Sequence, residues 1–375
     1  SETVDRIYNL CPGTRIEGLP EHLIADSSFQ DGTWGVWRRM AYAWATEPEI
    51  RYLGSTGGVL TALALYLLES GEVDFIVHAR ASQRCPAFGE RALSRTRREI
   101  VQGAGSRYAP TATLIDITQI LDRCEKRGER FAFIGTPCDV TGLRNLATTD
   151  ARVEQLCRYQ LAMVCGGFMA PSALFSFLDQ LEVEPDALAA LRYRGHGCPG
   201  STRIETRDGR VIEKNYLDFW GEDESNWQLP FRCKICPDGI GDAADIAVAD
   251  TWVGGSPSRD GQKSDPGTNA MIVRTEQAET LVENAVREGY LVTGDSLAPR
   301  DLDRFQPHQV DRKKAVWSRF VGMRSAGRIV PDVSRLRLKP LARENSLEEN
   351  LAQARGTRRR CLDGTNSEPK PDPVD

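Results

Sequence analysis

The pattern of hydrophobic and polar residues in the first half of the chain predicts alternating strands and helices. Apolar runs at residues 74–79, 130–135 and 159–167 have the length of buried strands. Helical patterns follow the second and third runs, to about Ala147 and over residues 171–181. Strand–turn–helix units at this spacing indicate an α/β domain with parallel strands.

The most apolar segment, residues 59–68, ends at Gly71 and predicts a buried helix. A further helix is predicted over residues 113–126 from its periodicity. The apolar segment is too short to cross a bilayer, which needs about 20 residues. We therefore expect no membrane span.

Residues beyond about 190 have a different pattern. Residues 202–213 alternate like a β-hairpin that turns at Asp208-Gly209. Strands are predicted at residues 245–249 and 271–274, and a helix at residues 276–288. We expect a smaller α+β region beside the parallel-strand core, which makes the fold class mixed α/β (α+β).

The two ends of the chain carry weaker signals. Residues 1–50 predict an irregular N-terminal extension, and the chain becomes polar from about residue 340, with a compositionally disordered tail after Gly364. These observations divide the chain into four predicted regions, at residues 1–50, 51–190, 191–335 and 336–375.

Composition narrows the class of protein. Hydrophobic residues make up 40% of the 375 residues and charged residues 27%, as in ordinary soluble globular proteins. The net charge of −5 and the absence of aromatic residues within the basic clusters at 95–98 and 358–360 argue against a nucleic-acid surface. No apolar signal segment occurs in residues 1–20, so we expect a cytoplasmic protein whose ten cysteines are reduced.

Four of the cysteines form a pattern. Cys233-Lys-Ile-Cys236 can bind an iron-sulfur cluster, a zinc ion, or form a disulfide. Cys138 and Cys165 follow predicted parallel strands, whose carboxyl ends meet at one sheet edge, where ligands gather. The four thiols can therefore converge on a cluster or on zinc. The long separations match no zinc ribbon and favour a cluster. The alternative is that Cys138 and Cys165 are buried apolar residues, with a reactive or zinc-bound CxxC apart from them. In that case a zinc-stabilised binding module is the corresponding function.

A second candidate site lies at the loop Gly54-Ser55-Thr56-Gly57-Gly58, which leads directly into the apolar helix. Glycines let backbone N–H groups approach a ligand closely, and a helix N-terminus favours a phosphate. Ser55 or Thr56 can cap the helix. Arg107 can pair with a phosphate and Tyr108 can cover a ring. A structural loop, with Arg107 and Tyr108 as surface and packing residues, is the alternative.

A series of motifs carries a resemblance to a known family. The motifs occur in the order Gly54–Gly58, Gly103–Tyr108, Phe133–Cys138, Val164–Gly167, Tyr193–Gly197, and Cys233–Asp238 with Ala244–Ile246. Together they look like the beta subunit of coenzyme F420-reducing hydrogenase, whose family also includes deazaflavin dehydrogenases and 7-hydroxymethyl chlorophyll a reductase. The resemblance covers about residues 50–320.

The resemblance implies a flavoprotein with FAD and at least one 4Fe-4S cluster. By correspondence of motifs, residues 51–190 are the FAD-binding α/β region and residues 191–335 bind both cluster and flavin. FAD would be held by Gly54, Ser55, Thr56, Gly57 and Gly58, with Arg107, Tyr108, Thr136 and Pro137 nearby. The cluster ligands would be Cys138, Cys165, Cys233 and Cys236.

Two departures from the family pattern concern further cysteines. Many relatives carry an N-terminal ferredoxin segment, whereas this chain has Cys11-Pro12-Gly13, and Cys198 stands where many relatives have an aromatic residue. Cys11 and Cys198 could help to hold a second cluster.

The function that this implies is an oxidoreductase that passes electrons between the cluster and a two-electron carrier or organic substrate through FAD. A relay subunit of a larger complex, with no substrate site of its own, is the alternative. No catalytic residue is identified; Asp139 and His196 are candidates, with a structural hydrogen bond as the other role for His196. We expect a ferredoxin or another subunit as redox partner, a small-molecule donor or acceptor, and an oligomer.

Overall fold

The computed structural model describes residues 2–221, 227–259 and 265–367. Within these ranges the strands are β1 (Arg15–Glu17), β2 (Phe29–Asp31), β3 (Gly35–Trp37), β4 (Arg39–Ala45), β5 (Phe75–Ala81), β6 (Gly89–Ser94), β7 (Phe131–Gly135), β8 (Cys157–Met163), β9 (Leu188–Arg192), β10 (Thr202–Thr206), β11 (Val211–Lys214), β12 (Ile246–Asp250), β13 (Asn269–Val273), β14 (Leu291–Ser296) and β15 (Asp332–Ser334).

The helices of the same ranges are α1 (Glu2–Leu10), α2 (Pro48–Leu53), α3 (Val59–Glu69), α4 (Arg97–Gln102), α5 (Ile117–Arg127), α6 (Pro137–Ala147), α7 (Arg152–Leu156), α8 (Pro171–Gln180), α9 (Tyr216–Trp220), α10 (Phe231–Lys234), α11 (Glu276–Arg287), α12 (Pro299–Phe305), α13 (Pro307–Ser325), α14 (Leu338–Ala342) and α15 (Leu347–Asp363). None of the described helices combines the length and apolar character needed to cross a membrane.

A large mixed sheet organises the described chain, with strand order β14-β4-β13-β12-β8-β7-β5-β6. The four inner strands β12, β8, β7 and β5 are parallel, and the outer pairings are antiparallel. The sequence prediction of parallel strands is confirmed for β5, β7 and β8. Carboxyl ends of parallel strands lie at one edge, and a ligand site is expected there.

Both faces of this sheet are covered, which explains the continuous apolar runs of its strands. All five residues of β7 are buried. Ala132 and Ile134 pack in the core formed with α3, whereas Phe131 and Phe133 pack on the opposite face with residues of α5 and α6. The helix predicted at residues 59–68 is therefore confirmed as α3, an interior helix of one layer.

A smaller α+β region adjoins the sheet. Strands β9, β10 and β11 form an antiparallel sheet, and the predicted hairpin turns between β10 and β11. Its core includes Leu174 and Phe177 of α8, Ile204 of β10, and Phe219 of α9. This region contributes aromatic side chains to the site described below.

The prediction for the two chain ends is wrong in part. Residues 1–50 are not irregular, because they form α1 to α2 and β1 to β4, and β4 is a strand of the large sheet. Residues 347–363, predicted as polar tail, form α15, which packs on α13 and buries Cys361. The large sheet also joins strands from both sides of residue 190, so the predicted boundary there does not divide it. The predicted disorder after Gly364 lies mostly outside the described residues.

Candidate functional site

A cavity of about 990 Å³ opens at the carboxyl ends of the parallel strands. The residues at or just beyond the ends of β5, β7, β8 and β12 that line it include Ala81, Thr136, Val164 and Asp250. The loop before α3 and the segment around Cys233 complete its wall. The structure thus brings both predicted site elements to one cavity.

The glycine loop is shaped by close packing. Gly58 adopts a left-handed conformation, with φ of 72°, at the start of α3. A Cβ atom on Gly57 would lie 2.6 Å from Oδ1 of Asn269 and 2.9 Å from the carbonyl oxygen of Ala43. A side chain at Gly57 would therefore force the loop away from β4 and β13.

The prediction that Ser55 or Thr56 caps α3 is wrong. Oδ1 of Asn269 accepts hydrogen bonds from the N–H groups of Gly57, at 3.0 Å, and Val59, at 3.4 Å. N–H groups of the first helical turn lack partners within the helix, and Leu60 and Thr61 of this turn line the cavity. The start of α3 can therefore donate to a phosphate group in the cavity.

Ser55 and Thr56 belong to a different network, centred on Arg194. This guanidinium is 3% exposed and pairs with Asp250, with Nη1 2.9 Å from Oδ2. Its Nη2 donates to the carbonyl oxygen of Ser55 and to Oγ1 of Thr56, each at 2.9 Å, and its Nη1 donates to the hydroxyl of Tyr108, also at 2.9 Å. One buried cation thereby ties together three segments of the cavity wall.

Sequence analysis did not assign a role to Arg194 or Asp250. The signal was present, because Asp250 follows a buried strand and Arg194 lies in a glycine-flanked motif. The charge of Asp250 compensates the burial of the guanidinium, which alone would lower its pKa, and the pKa of Arg194 is raised. Arg194 stays charged and fixes the loop electrostatically.

Aromatic side chains form one wall of the cavity. The ring centroids of Tyr108 and Trp220 are 4.4 Å apart, and the guanidinium of Arg194 lies 4.5 Å from the Trp252 ring centroid. Tyr216 lies beside Tyr108 and also lines the cavity. Such a wall can pack against a planar ring system.

Arg107 also lines the cavity and makes contacts with the surrounding protein. Its Nη1 donates to the carbonyl oxygen of Pro86 at 3.3 Å, and its guanidinium lies 5.8 Å from the Tyr193 ring centroid. Burial lowers its pKa. The position is compatible with the predicted role beside a phosphate.

The four predicted cysteine ligands all line the cavity. Cys138 lies in the first turn of α6 and Cys165 directly follows β8. Cys233 belongs to α10, and Cys236 follows that helix. The cysteines are free thiols, which is the form that can bind a metal group after loss of the proton.

The protein around three of the candidate ligand thiols raises their pKa values. The side chain of Cys138 is exposed to the cavity although protein surrounds it, and burial raises the pKa of its thiol, as do the nearby Asp139 and Cys165. Burial likewise raises the pKa of Cys165 to about 11 and that of Cys236 to about 12. The thiols of Cys138, Cys165 and Cys236 therefore favour the protonated form, and a bound cation would supply the charge that deprotonates them.

The four thiols do not form a compact single-ion site. Among the described residues, no three His, Cys, Asp or Glu side chains group around one ion-sized position. The four cysteines share the wall of one cavity.

Thr136, Pro137 and Asp139 shape the turn that carries Cys138. Oδ2 of Asp139 accepts from the N–H of Thr136 at 3.0 Å and from its hydroxyl at 2.7 Å. The Thr136 hydroxyl also lies 3.0 Å from the Cys138 sulfur. Burial raises the pKa of Asp139.

His196 lies elsewhere. It adopts a left-handed conformation, with φ of 62°, and its ring centroid is 5.5 Å from that of Tyr52. It is not among the residues that line the cavity. The structure thus places Asp139 at the site and His196 outside it.

The two further cysteines are not brought together at the cavity. Cys11 lines it, next to Pro12 and Gly13. Cys198 is 2% exposed, and its sulfur lies 3.5 Å from a carboxylate oxygen of Asp265. Cys198 is not a cavity-lining residue, so the two cysteines do not share the wall of this cavity.

Two sequence models describe the N-terminal and C-terminal parts of the coenzyme F420 hydrogenase/dehydrogenase beta subunit. They match residues 40–117 and 128–297 of this chain. The chain belongs to this family. The resemblance drawn from the motifs is therefore confirmed, and family members are subunits of oxidoreductases.

Individual relatives are distant. The chain is 23% identical to the coenzyme F420 hydrogenase subunit beta of Methanococcus voltae over 309 residues, which are 79% of this chain and 99% of that one. It is 26% identical to the F420-dependent formate dehydrogenase 1 subunit beta of Methanococcus maripaludis over 261 residues, 68% of this chain and 61% of that one. The chain thus spans less than two thirds of the second relative.

A solved structure supports the fold. A chain of the F420-reducing NiFe hydrogenase complex from Methanosarcina barkeri superposes with a TM-score of 0.60 and 18% sequence identity, and the match covers 80% of this chain and 98% of that one. The mixed α/β fold with a large mixed sheet is therefore shared with that chain.

Proposed function

We propose that this protein is an iron-sulfur flavoprotein oxidoreductase, which passes electrons between a 4Fe-4S cluster and a two-electron carrier or organic substrate through FAD. The observation that carries the proposal is that one cavity is lined both by the glycine loop with the start of α3 and by four cysteines. A phosphate-accepting helix start and a four-thiol set in one space suit these two cofactors. The names of the relatives, which are redox subunits, support the same class of reaction.

The residues that would hold the flavin are the loop 54–58 and the start of α3, with Arg107, Tyr108, Thr136 and Pro137 in the same wall. The cluster would be held by Cys138, Cys165, Cys233 and Cys236. When bound, an iron-sulfur cluster exchanges single electrons and a flavin can exchange two electrons with a substrate.

The chain itself supplies position and environment. The Arg194–Asp250 pair fixes the loop against the aromatic wall. Asp139, whose pKa is raised by burial, can hold a proton beside Cys138 and remains our candidate for proton transfer.

We further propose that a ferredoxin or another subunit exchanges electrons with this chain, and that the chain works in an oligomer. The support is that the relatives are named as subunits. A relay subunit without a substrate site is the rival proposal. Reduction of a soluble two-electron carrier by the isolated chain, with dithionite as electron source, would decide for the enzyme; a cluster and flavin that reduce no carrier would decide for the relay.

The test of the cofactors is anaerobic purification followed by a visible spectrum and iron, zinc and flavin analysis. We expect flavin bands over a broad cluster shoulder and about four irons per chain. About eight irons would require a second cluster and bring Cys11 and Cys198 back into question. A colourless protein that contains zinc and no flavin would refute the proposal.

A further inference from the structure

Helix α13 packs behind two of the cysteine segments, and His308 in its first turn also lines the cavity. Nε2 of Gln309 donates to the carbonyl oxygen of Cys165 at 2.8 Å, and Nη2 of Arg312 donates to that of Gly166, also at 2.8 Å. Nη1 of Arg312 lies 3.5 Å from the Cys165 oxygen. Lys313 of the same helix pairs with Asp242, which lies beyond Cys236 in the chain, at 2.6 Å.

These bonds orient the peptides that follow Cys165. In a trans peptide the C=O and N–H groups point in opposite directions. Carbonyls anchored on α13 therefore turn the following N–H groups, those of Gly166 and Gly167, away from the helix. Gly167 has φ of 126°, and a Cβ atom there would lie 3.4 Å from Cβ of Cys233. The hydrogen bonds from α13 thus fix the orientation of two backbone N–H donors directly after one candidate ligand, in a segment that packs closely against another.

Within the described residues, the charge of Arg312 has no carboxylate partner. The side chain is 5% exposed, yet none of the ion pairs found in the described ranges includes it. Its neighbour Lys313, which is equally buried, has Asp242 as counter-ion. Burying an unpaired cation is costly, and an anionic group at the four thiolates would offset that cost.

The position of Arg312 relative to the thiols agrees with this role. Its guanidinium contacts the carbonyl oxygens of Cys165 and Gly166. The charge therefore lies against the segment that begins at one of the four cysteines.

We propose that Arg312 is a positioning residue for the four-cysteine site. Its hydrogen bonds to the carbonyl oxygens after Cys165 and its uncompensated charge raise the reduction potential of the bound cluster. A positive charge and N–H donors near a cluster both favour its reduced, more negative state. The inference rests on the proposed function, since it requires that the four cysteines bind a cluster.

The experiment compares the reduction potential of the cluster between the wild type and variants of the anaerobically purified full chain. The potential is measured by a redox titration with electron paramagnetic resonance as the readout. Arg312→Gln keeps an amide that can donate to a carbonyl but removes the charge, whereas Arg312→Lys keeps the charge. The control is Arg324→Gln, which removes a charge from the other end of α13, twelve residues or about 18 Å away.

We expect Arg312→Gln to lower the ratio of reduced to oxidised cluster about tenfold at a fixed potential, which is a shift of about 59 mV for one electron. Arg312→Lys and Arg324→Gln should stay near the wild type. If Arg312→Gln loses its iron while Arg312→Lys keeps iron and potential, the charge is again required, and the inference stands.

Three results would overturn the inference: a wild-type potential in Arg312→Gln with full iron, equal shifts in the Gln and Lys variants, or loss of iron in both. A wild-type chain without iron is a separate outcome, because it refutes the proposed function before any variant is compared.

Discussion

The buried charge cluster around Asp242 gives the sharpest prediction about stability. Asp242 is 1% exposed, and its Oδ2 accepts hydrogen bonds from Nζ of Lys313, at 2.6 Å, and from Nη2 of Arg337. Lys313 is itself 3% exposed. The change we consider is Asp242→Asn, which keeps the shape and one acceptor oxygen but removes the negative charge.

The magnitude follows from burial. Removing one partner of a buried ion pair leaves an uncompensated charge and costs about 3–5 kcal/mol, whereas an exposed pair is worth about 0–1 kcal/mol. Because Asp242 compensates both Lys313 and Arg337, we expect Asp242→Asn to lower the free energy of unfolding by about 3–5 kcal/mol.

The assay is urea denaturation of the cofactor-free chain at pH 7, followed by circular dichroism and tryptophan fluorescence. Glu213→Gln is the matched control, because Glu213 pairs with Arg203 at 3.0 Å with both side chains substantially exposed. The control should change the free energy of unfolding by less than about 1 kcal/mol. An equally small effect of Asp242→Asn, with an unchanged denaturant slope, would refute the reasoning.

The same cluster predicts a dependence on pH. Burial raises the pKa of Asp242, but the charges of Lys313, Arg337 and Arg274 outweigh burial and hold that pKa well below its usual range. A lowered carboxyl pKa stabilises the fold above about pH 4, the value in the unfolded chain, and this stabilisation is lost as pH falls further. The difference between wild type and Asp242→Asn should therefore shrink below about pH 4. A constant difference down to pH 2.5 would contradict this assignment.

Three further predictions concern the cavity. Asn269→Ala removes the cap of α3, so the free energy of unfolding should fall by about 1–2 kcal/mol and less flavin should be retained after gel filtration; unchanged values of both would argue against the cap. Cys138→Ser should abolish the iron content, whereas Cys198→Ser should keep it, and loss of iron in the second variant would restore Cys198 as a ligand. Burial lowers the pKa of His308 to about 4, so the apo wild type should gain stability as pH rises from about 4 to 6.5, where only the unfolded imidazole binds a proton. In His308→Gln that gain should be smaller, and equal slopes in urea denaturation series would count against a buried neutral ring.

The sequence alone determined the elements whose signal is local. Strands β5, β7 and β8 are short apolar runs bounded by glycine or polar residues, and α3 is a long apolar run with a glycine loop before it. Their side chains are buried on every side, so the pattern needs no information about a partner element. The placement of Cys138 and Cys165 at neighbouring strand ends followed from the same pattern.

Other elements gave signals that depend on partners far along the chain. Strand β4 lies between β13 and β14, which are more than 200 residues away in the chain. Its sequence alone therefore predicted an irregular segment. Helix α15 buries little apolar surface beyond Cys361, and Gly322 of α13 lets it approach closely, since a Cβ there would lie 2.3 Å from the carbonyl oxygen of Ala354. Polar composition therefore concealed a packed helix.

Only the tertiary structure decided which polar residues complete the site. Asn269 caps α3 across 210 residues, Arg194 reaches Asp250 and the glycine loop, and Arg312 reaches the carbonyls behind Cys165. Each is a single side chain whose partner is distant in sequence, so no spacing or periodicity marks it. Local patterns specify strands, helices and clustered thiols, whereas hydrogen bonds and ion pairs between distant segments exist only once the sheet has brought those segments together.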